Sequence, residues 1–200
     1  MSATKYPALT GNTNDTNSST KSDTKFDTAS EPRPDARAAD PIEAARSNWT
    51  AAGWGDVADG MALVTSVMRV QQLMLARAEA TLRPFELTFA RFEVLMLLHF
   101  SSRGSMPVGK IGERLQVHPA SVTNAVQRLA QAGLVERSTN PHDGRSVLAS
   151  ITPDGRALVL RAAARLNDEV FDDVGVEPAA RDRLFGLLAD WRSAHGDFRR

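Results

Sequence analysis

The run PASVTNAVQRLAQAG, residues 119–133, sets small hydrogen-bonding side chains at helical spacing. Val122, Ala125, Val126 and Leu129 recur at i, i+3, i+4 and i+7, the period of a buried helix face. Rotation about that axis turns Ala120, Thr123, Asn124 and Gln127 outward, with Ser121 and Arg128 on the flanks. A face that served only solubility would carry mostly lysine and glutamate. Small hydroxyl and amide groups instead permit close approach to a surface that is itself patterned in donors and acceptors. The major groove of double-stranded DNA is such a surface, and its pattern distinguishes every base pair.

A second group of residues follows in NPHDGRSVLASITPDG, residues 140–155. Asn140, Pro141, Asp143 and Gly144 form a turn cluster. Arg145 stands at its tip, with Ser146 beside it as a further candidate contact. Arginine suits the enhanced negative potential of a narrow minor groove. Gly144 permits a tight bend, and Asp143 is placed to accept hydrogen bonds from the loop backbone or from Arg145 and so fix its direction.

These side chains need particular elements to hold them. VGKIGERL predicts a helix of about two turns with Ile111 and Leu115 inward; QVH turns, and Pro119 opens the next helix, which Gly133 stops. LVERST and RSVLASI predict two strands, because Val147, Ala149 and Ile151 alternate. Two short helices with a tight turn, followed by a hairpin, make a helix-turn-helix with a wing, the second helix being the one that enters the groove. Upstream, LTFARFEVLMLLHF predicts a helix capped by Thr88 and closed by Gly104, with His99 packed or at the surface. A long helix over 57–82 carries two apolar stripes, wider than one core contact requires, and Pro84 ends it. Thr152 caps a helix reaching about Asp173, and a last helix from Pro178 to about His195 carries Leu184, Leu187, Leu188 and Trp191. PIEAARSNWTAAGW adds a short helix before the core, with Trp49 packed on the main body, or with Trp49 or Trp54 lining a ligand pocket. Residues 1–40, rich in Ser, Thr, Asn and Asp, bury too little apolar area to order and are expected to be disordered.

The expected class is therefore mainly α with a small β-hairpin (α+β), a winged helix-turn-helix at 87–154. The remaining helices lie at 41–56, 57–86 and 155–195. Formal net charge is zero, so any basic surface must be local. Residues 101–156 carry seven Lys or Arg against four Asp or Glu, a local balance of +3. With no cysteine, disulfides, thiolate zinc sites and cysteine nucleophiles are excluded. His99, His118, His142 and His195 are scattered and suggest no metal site. No nucleotide-binding loop or convergent nucleophile and base is present, so neither an enzyme nor a cofactor is expected. The first residues lack the apolar stretch of a signal peptide, and no run of roughly 18 apolar residues occurs. A cytoplasmic protein without membrane association is expected.

Three stretches, LTFARFEVLMLL, KIGERLQVHPASVTNAVQRLAQAGLVER and DGRSVLASITPDGRAL, carry a resemblance. From about residue 57 to 195 the chain resembles the MarR family of winged-helix transcriptional regulators. The resemblance implies an obligate homodimer, with its first and last helices interleaved as the dimerisation region. It implies binding to a pseudo-palindromic operator, often as a repressor of a nearby operon or of its own gene. It implies release by a small, often aromatic or phenolic, effector bound between the dimerisation and winged regions. The helix bearing RSNW resembles an extra N-terminal helix of the urate-responsive branch, which makes Trp49 a candidate effector contact; Glu93 stands where that branch has an acidic residue. Ala125 stands where that branch has an arginine, so an anion site there is not implied. The alternative is a winged helix used for protein or RNA contacts without operator specificity.

Overall fold

The structure, a computed structural model, describes residues 40–141 and 143–199. The expected disordered tail, apart from Asp40, and His142 lie outside the described residues. Asp40 caps α1 (Pro41–Ala51), its Oδ1 accepting from the Ile42 amide at 2.9 Å. A turn at Gly53 leads into α2 (Gly55–Leu82), and a 3-10 turn at Arg83–Phe85 ends that helix. Thr88 caps α3 (Phe89–Phe100) as expected. Then come β1 (Ser105–Pro107), α4 (Val108–Leu115), α5 (Pro119–Gln131), β2 (Val135–Asn140) and β3 (Asp143–Ile151). Thr152 caps α6 (Pro153–Leu166), which widens into a π-turn at Asn167–Phe171, and α7 (Pro178–Ala194) follows.

The expected hairpin is part of a three-stranded antiparallel sheet of order β1-β3-β2. The sequence pattern does not show strand β1, because three residues are too few to alternate. It pairs Ser105 with Ser150 and Pro107 with Leu148. The glycine expected to close α3 has a different position. The helix ends at Phe100, and Gly104, at φ 63°, makes the turn that brings β1 alongside β3. A side chain there would press on Arg156 Nη2.

One apolar cluster holds these elements together. Leu82 of α2, Leu95 and Leu98 of α3, Ile111 of α4, Val122, Val126 and Leu129 of α5, Ala149 of β3 and Val159 and Leu166 of α6 are all buried in it. The end of α6 is strapped to α2. Arg77 donates to the carbonyls of Glu169 and, at 2.8 Å, Asp173. Thr81 and Arg165 both donate to the Glu169 carboxylate, at 2.8 and 2.7 Å. These hydrogen bonds, first Arg165 and then Thr81, hold the Glu169 carboxyl below the usual carboxylate range. No described helix is long and apolar enough to cross a membrane.

The start of α6 is pressed against the end of α5. The Leu134 carbonyl accepts from Thr152 N–H at 3.1 Å, and Thr152 Oγ1 donates to the Gly133 carbonyl at 2.9 Å. The same hydroxyl oxygen accepts from Gly155 N–H at 3.0 Å. A Cβ on Gly155 would lie 2.1 Å from the Leu134 carbonyl oxygen. The Leu134 carbonyl is backbone and cannot swing aside as a side chain would, so Gly155→Ala is expected to destabilise the fold by about 1–3 kcal/mol, the cost of overpacking. Gly60, in α2, faces open space, and Gly60→Ala is expected to stabilise by roughly 0.5–1 kcal/mol. Urea unfolding of the two variants checks both signs; a Gly155→Ala protein as stable as the parent would contradict the close approach.

Candidate nucleic-acid interface

Helix α5 begins with a side-chain cap. His118 Nδ1 accepts from the Ala120 amide at 3.2 Å, and Pro119 takes the first helical position, where no amide donor is needed. Val122, Val126 and Leu129 are buried and Ala125 is half-buried, so the inward face lies where the spacing placed it. Ala120, Ser121, Thr123, Asn124, Gln127 and Arg128 are all exposed. The structure thus brings together on one open face every α5 residue singled out from the sequence. Thr123 Oγ1 donates to the Pro119 carbonyl at 2.9 Å. With its proton committed there, the hydroxyl faces outward as an acceptor. Arg128 lies at the far end of the face, its Nη1 3.5 Å from Gln131 Oε1.

The wing is braced from within. Asp143 Oδ1 accepts from the Arg145 backbone amide at 3.1 Å, so of the two partners expected for this carboxylate the backbone is the one it holds. Ser146 Oγ donates to the Asp143 carbonyl at 3.1 Å and accepts from Asn140 Nδ2 at 2.8 Å. A register shift between Thr139 and Asn140 bends β2 just before the tip. Arg145 is exposed and makes no ion pair among the described residues. Asn140 is a brace as well as a turn former; its position six residues before a serine carries no signal in the sequence.

The two candidate effector residues sit elsewhere. Trp49 is exposed on α1, its ring centroid 5.3 Å from that of Trp54. Glu93 is half-buried on α3, and burial pushes its carboxyl up. Neither lines a cleft of about 410 Å³ between the 3-10 turn after α2, the start of α3, the end of α5 and α6. That cleft has Phe85, Leu129 and Leu158 on its walls and Arg91, Arg128 and Glu86 at its edge. His99 is a packed residue, its Nδ1 2.9 Å from Arg156 Nη1. Among the described residues no three His, Asp or Glu side chains are grouped to hold a metal ion.

Comparison with known proteins decides the family. The family model described as MarR family matches residues 87–147, which run from the start of α3 into the wing. The chain is 44% identical to Sco5413, a MarR family transcriptional regulator from Streptomyces coelicolor, over 71% of this chain and 99% of that one, with a TM-score of 0.65. It is 31% identical over 108 residues to the HTH-type transcriptional repressor Mb2911 of Mycobacterium bovis, covering 54% of this chain and 76% of the relative. The chain belongs to the MarR family. Matches to other relatives are shorter, spanning 55% of YhbI of Bacillus subtilis and 50% of Mb0904 of Mycobacterium bovis, about half the length of each. The solved structure of BpsR of Bordetella bronchiseptica is 28% identical over 64% of this chain and 97% of that one, with a TM-score of 0.57. The MarR-family relatives it matches are transcriptional regulators.

The wing geometry predicts the behaviour of two variants. In a dimer Arg145→Ala removes two cations. If each meets phosphate or the adjacent groove, the salt dependence of operator affinity should fall by up to about 0.9 in slope for each phosphate left without its cation. Affinity should drop several-fold while the melting temperature holds, because the side chain is solvated. Asp143→Ala should give a milder loss by releasing the Arg145 amide. A salt titration of operator binding checks this; an unchanged slope for Arg145→Ala would leave the hairpin without a DNA-reading role.

Proposed function

We propose that this MarR-family regulator is a homodimeric repressor that reads a pseudo-palindromic operator and is released by a small aromatic effector. The observation that carries the reading is the exposed face of α5, which is polar, almost uncharged and backed by a packed apolar face. On this reading Ser121, Thr123, Asn124 and Gln127 meet base edges, Ala120 permits the close approach, and Arg128 reaches the backbone. Asp143, Arg145 and Ser146 build the wing contact outside the major groove.

Dimerisation is supported by what the chain leaves uncovered. On α2, Leu63, Val64, Val67, Met68, Val70 and Met74 are exposed, with Leu63 at 63% and Met68 at 62%. On α7, Leu187 is 61% and Trp191 60% exposed, and Ala189 is the one buried residue of that helix. Apolar area of this extent on two long helices marks an association surface. A closed two-fold dimer buries one self-complementary patch and doubles the reading helix, as a palindrome requires.

Two features support the effector. The cleft of about 410 Å³ falls in the range of small-molecule sites and combines apolar walls with two guanidinium groups. It touches the end of α5, so an occupant would bear on the reading helix. Trp49 on α1 and Glu93 on α3 lie outside this cleft and are not among the contacts proposed for its occupant. BpsR, a relative, has its DNA binding regulated by 6-hydroxynicotinic acid, an aromatic carboxylate.

Selection of binding sites from random DNA tests the face. Asn124→Ala and Gln127→Ala should each relax preference at particular base positions, at roughly 1–3 kcal/mol for each base no longer read. A selection profile unchanged in both variants would mean that another surface reads the sequence, or that the winged helix serves protein or RNA contacts. Light scattering tests the assembly. Leu187→Asp with Leu188→Asp should weaken both the dimer and operator binding, since buried unpaired carboxylates are costly. A monomer that still binds a palindrome tightly would contradict the dimer.

A further inference from the structure

The end of α7 is joined to the turn between α4 and α5 by residues 81 apart in the sequence. Gln116 Nε2 donates to Asp197 Oδ1 at 2.7 Å and lies 3.3 Å from the Asp197 carbonyl oxygen. Both sides of this contact are shaped before they meet. Gln116 holds the left-handed conformation, φ 55°, that ends α4, and its amide bonds to the Gly112 carbonyl. Val117 N–H bonds to that carbonyl too, at 3.2 Å, and His118 already caps α5. The turn is therefore stiff, and whatever grips Gln116 grips the first turn of α5.

The other side is a compact knot. Gly196, at φ 78°, reverses the chain after α7, its amide bonding to Ser193 O at 3.0 Å. Asp197 N–H bonds to the Arg192 carbonyl at 3.0 Å, and Arg192 Nη1 lies 3.7 Å from Asp197 Oδ2. The same guanidinium sits 5.2 Å from the centre of the Phe198 ring, and the Trp191 and His195 rings stack at 4.0 Å. One carboxylate oxygen of Asp197 thus faces Arg192 and the other faces Gln116. A charged acceptor makes the bond to the amide stronger than a neutral one would.

We infer that Asp197 and Gln116 are positioning residues that tie α7 to the helix-turn-helix and so set the distance between the two α5 helices of the dimer. The inference rests on the dimeric, operator-reading function proposed above. Helix α7 buries only Ala189 within its own chain, so without this hook its C-terminal end has little to fix it to the reading unit. Half-sites must lie a whole helical turn or a multiple apart for both reading helices to enter the same face of DNA. A tie between an association helix and the turn that starts α5 restricts the hinge on which that spacing depends. Neither side chain touches DNA; each acts through the placement of α5.

Two measurements on the full-length protein test the tie, one with DNA and one without. Gln116→Gly removes the amide and keeps the left-handed backbone unstrained. Asp197→Ala removes the acceptor, and Asp197→Asn retains an acceptor oxygen as the conservative control. Hydrogen exchange of the free protein should show the 116–118 turn exchanging several-fold faster in Asp197→Ala and only slightly faster than in the parent in Asp197→Asn, whose acceptor is neutral. Binding to palindromes whose half-sites are moved by one or two base pairs should show a sharp optimum for the parent. That optimum should be several-fold broader for Gln116→Gly and Asp197→Ala, and largely restored in Asp197→Asn, with the dimer intact throughout. Unchanged exchange at the turn, or an unchanged spacing profile in both disrupting variants, would overturn the inference. A parent protein that fails to select a palindrome would overturn the proposed function instead, and the exchange result would still decide whether the tie exists.

Discussion

The fold turns on a close approach of two backbones. The first turn of α6 lies so near Leu134 that only a glycine fits at 155, and Thr152 satisfies groups on both sides of the contact. The end of α5, the return strand of the wing and the start of α6 all meet there. The angle between the reading helix and the long helix α6 is therefore set by hard contact and directed hydrogen bonds, with little left to side-chain repacking. The straps from Arg77 and Thr81 to the far end of α6 extend the same frame to α2. A displacement of α2 or α6 would carry α5 and the wing with it.

The apolar surface is divided unequally. One cluster from Ala78 to Val170 encloses the reading unit, whereas the middle of α2 and most of α7 present apolar side chains to solvent. Burial of apolar area contributes about 25 cal/mol per Å², so the uncovered helices are a strong drive to association. In the function proposed here, association and reading are served by different parts of the chain, joined by α6 and by the contact between Gln116 and Asp197. The polar face of α5 can then keep its small uncharged groups, because solubility and assembly are handled elsewhere.

Much of this is legible in the sequence, for local reasons. The i, i+3, i+4, i+7 pattern of α5 is strong because Val122, Val126 and Leu129 all enter the core, and it locates the outward face without reference to any partner. The cap at Thr88, the start at Pro119 and the cap at Thr152 follow from short-range chemistry and stand where expected. What escapes is non-local. Strand β1 is defined by its pairing to Ser150 and Leu148, not by its own three residues. Gly104 looks like a helix stop because the turn it makes depends on that same pairing. The bond between Gln116 and Asp197 joins side chains with no spacing signal, and the cleft is assembled from four separated segments. The helical pattern assigns Arg128 to the DNA face alone, while the structure also sets it at the edge of that cleft.

In the proposed function, two copies of the α5 face read two half-sites from one side of the duplex. Hydroxyl-radical footprinting of an operator selected from genomic DNA, at a protein-to-DNA ratio fixed by sedimentation, tests it most directly. Two chains per operator and two protected patches on one face are expected, about 10 base pairs or a multiple of that apart from centre to centre. A single patch protected by one chain, or protection with no helical phase, would contradict it.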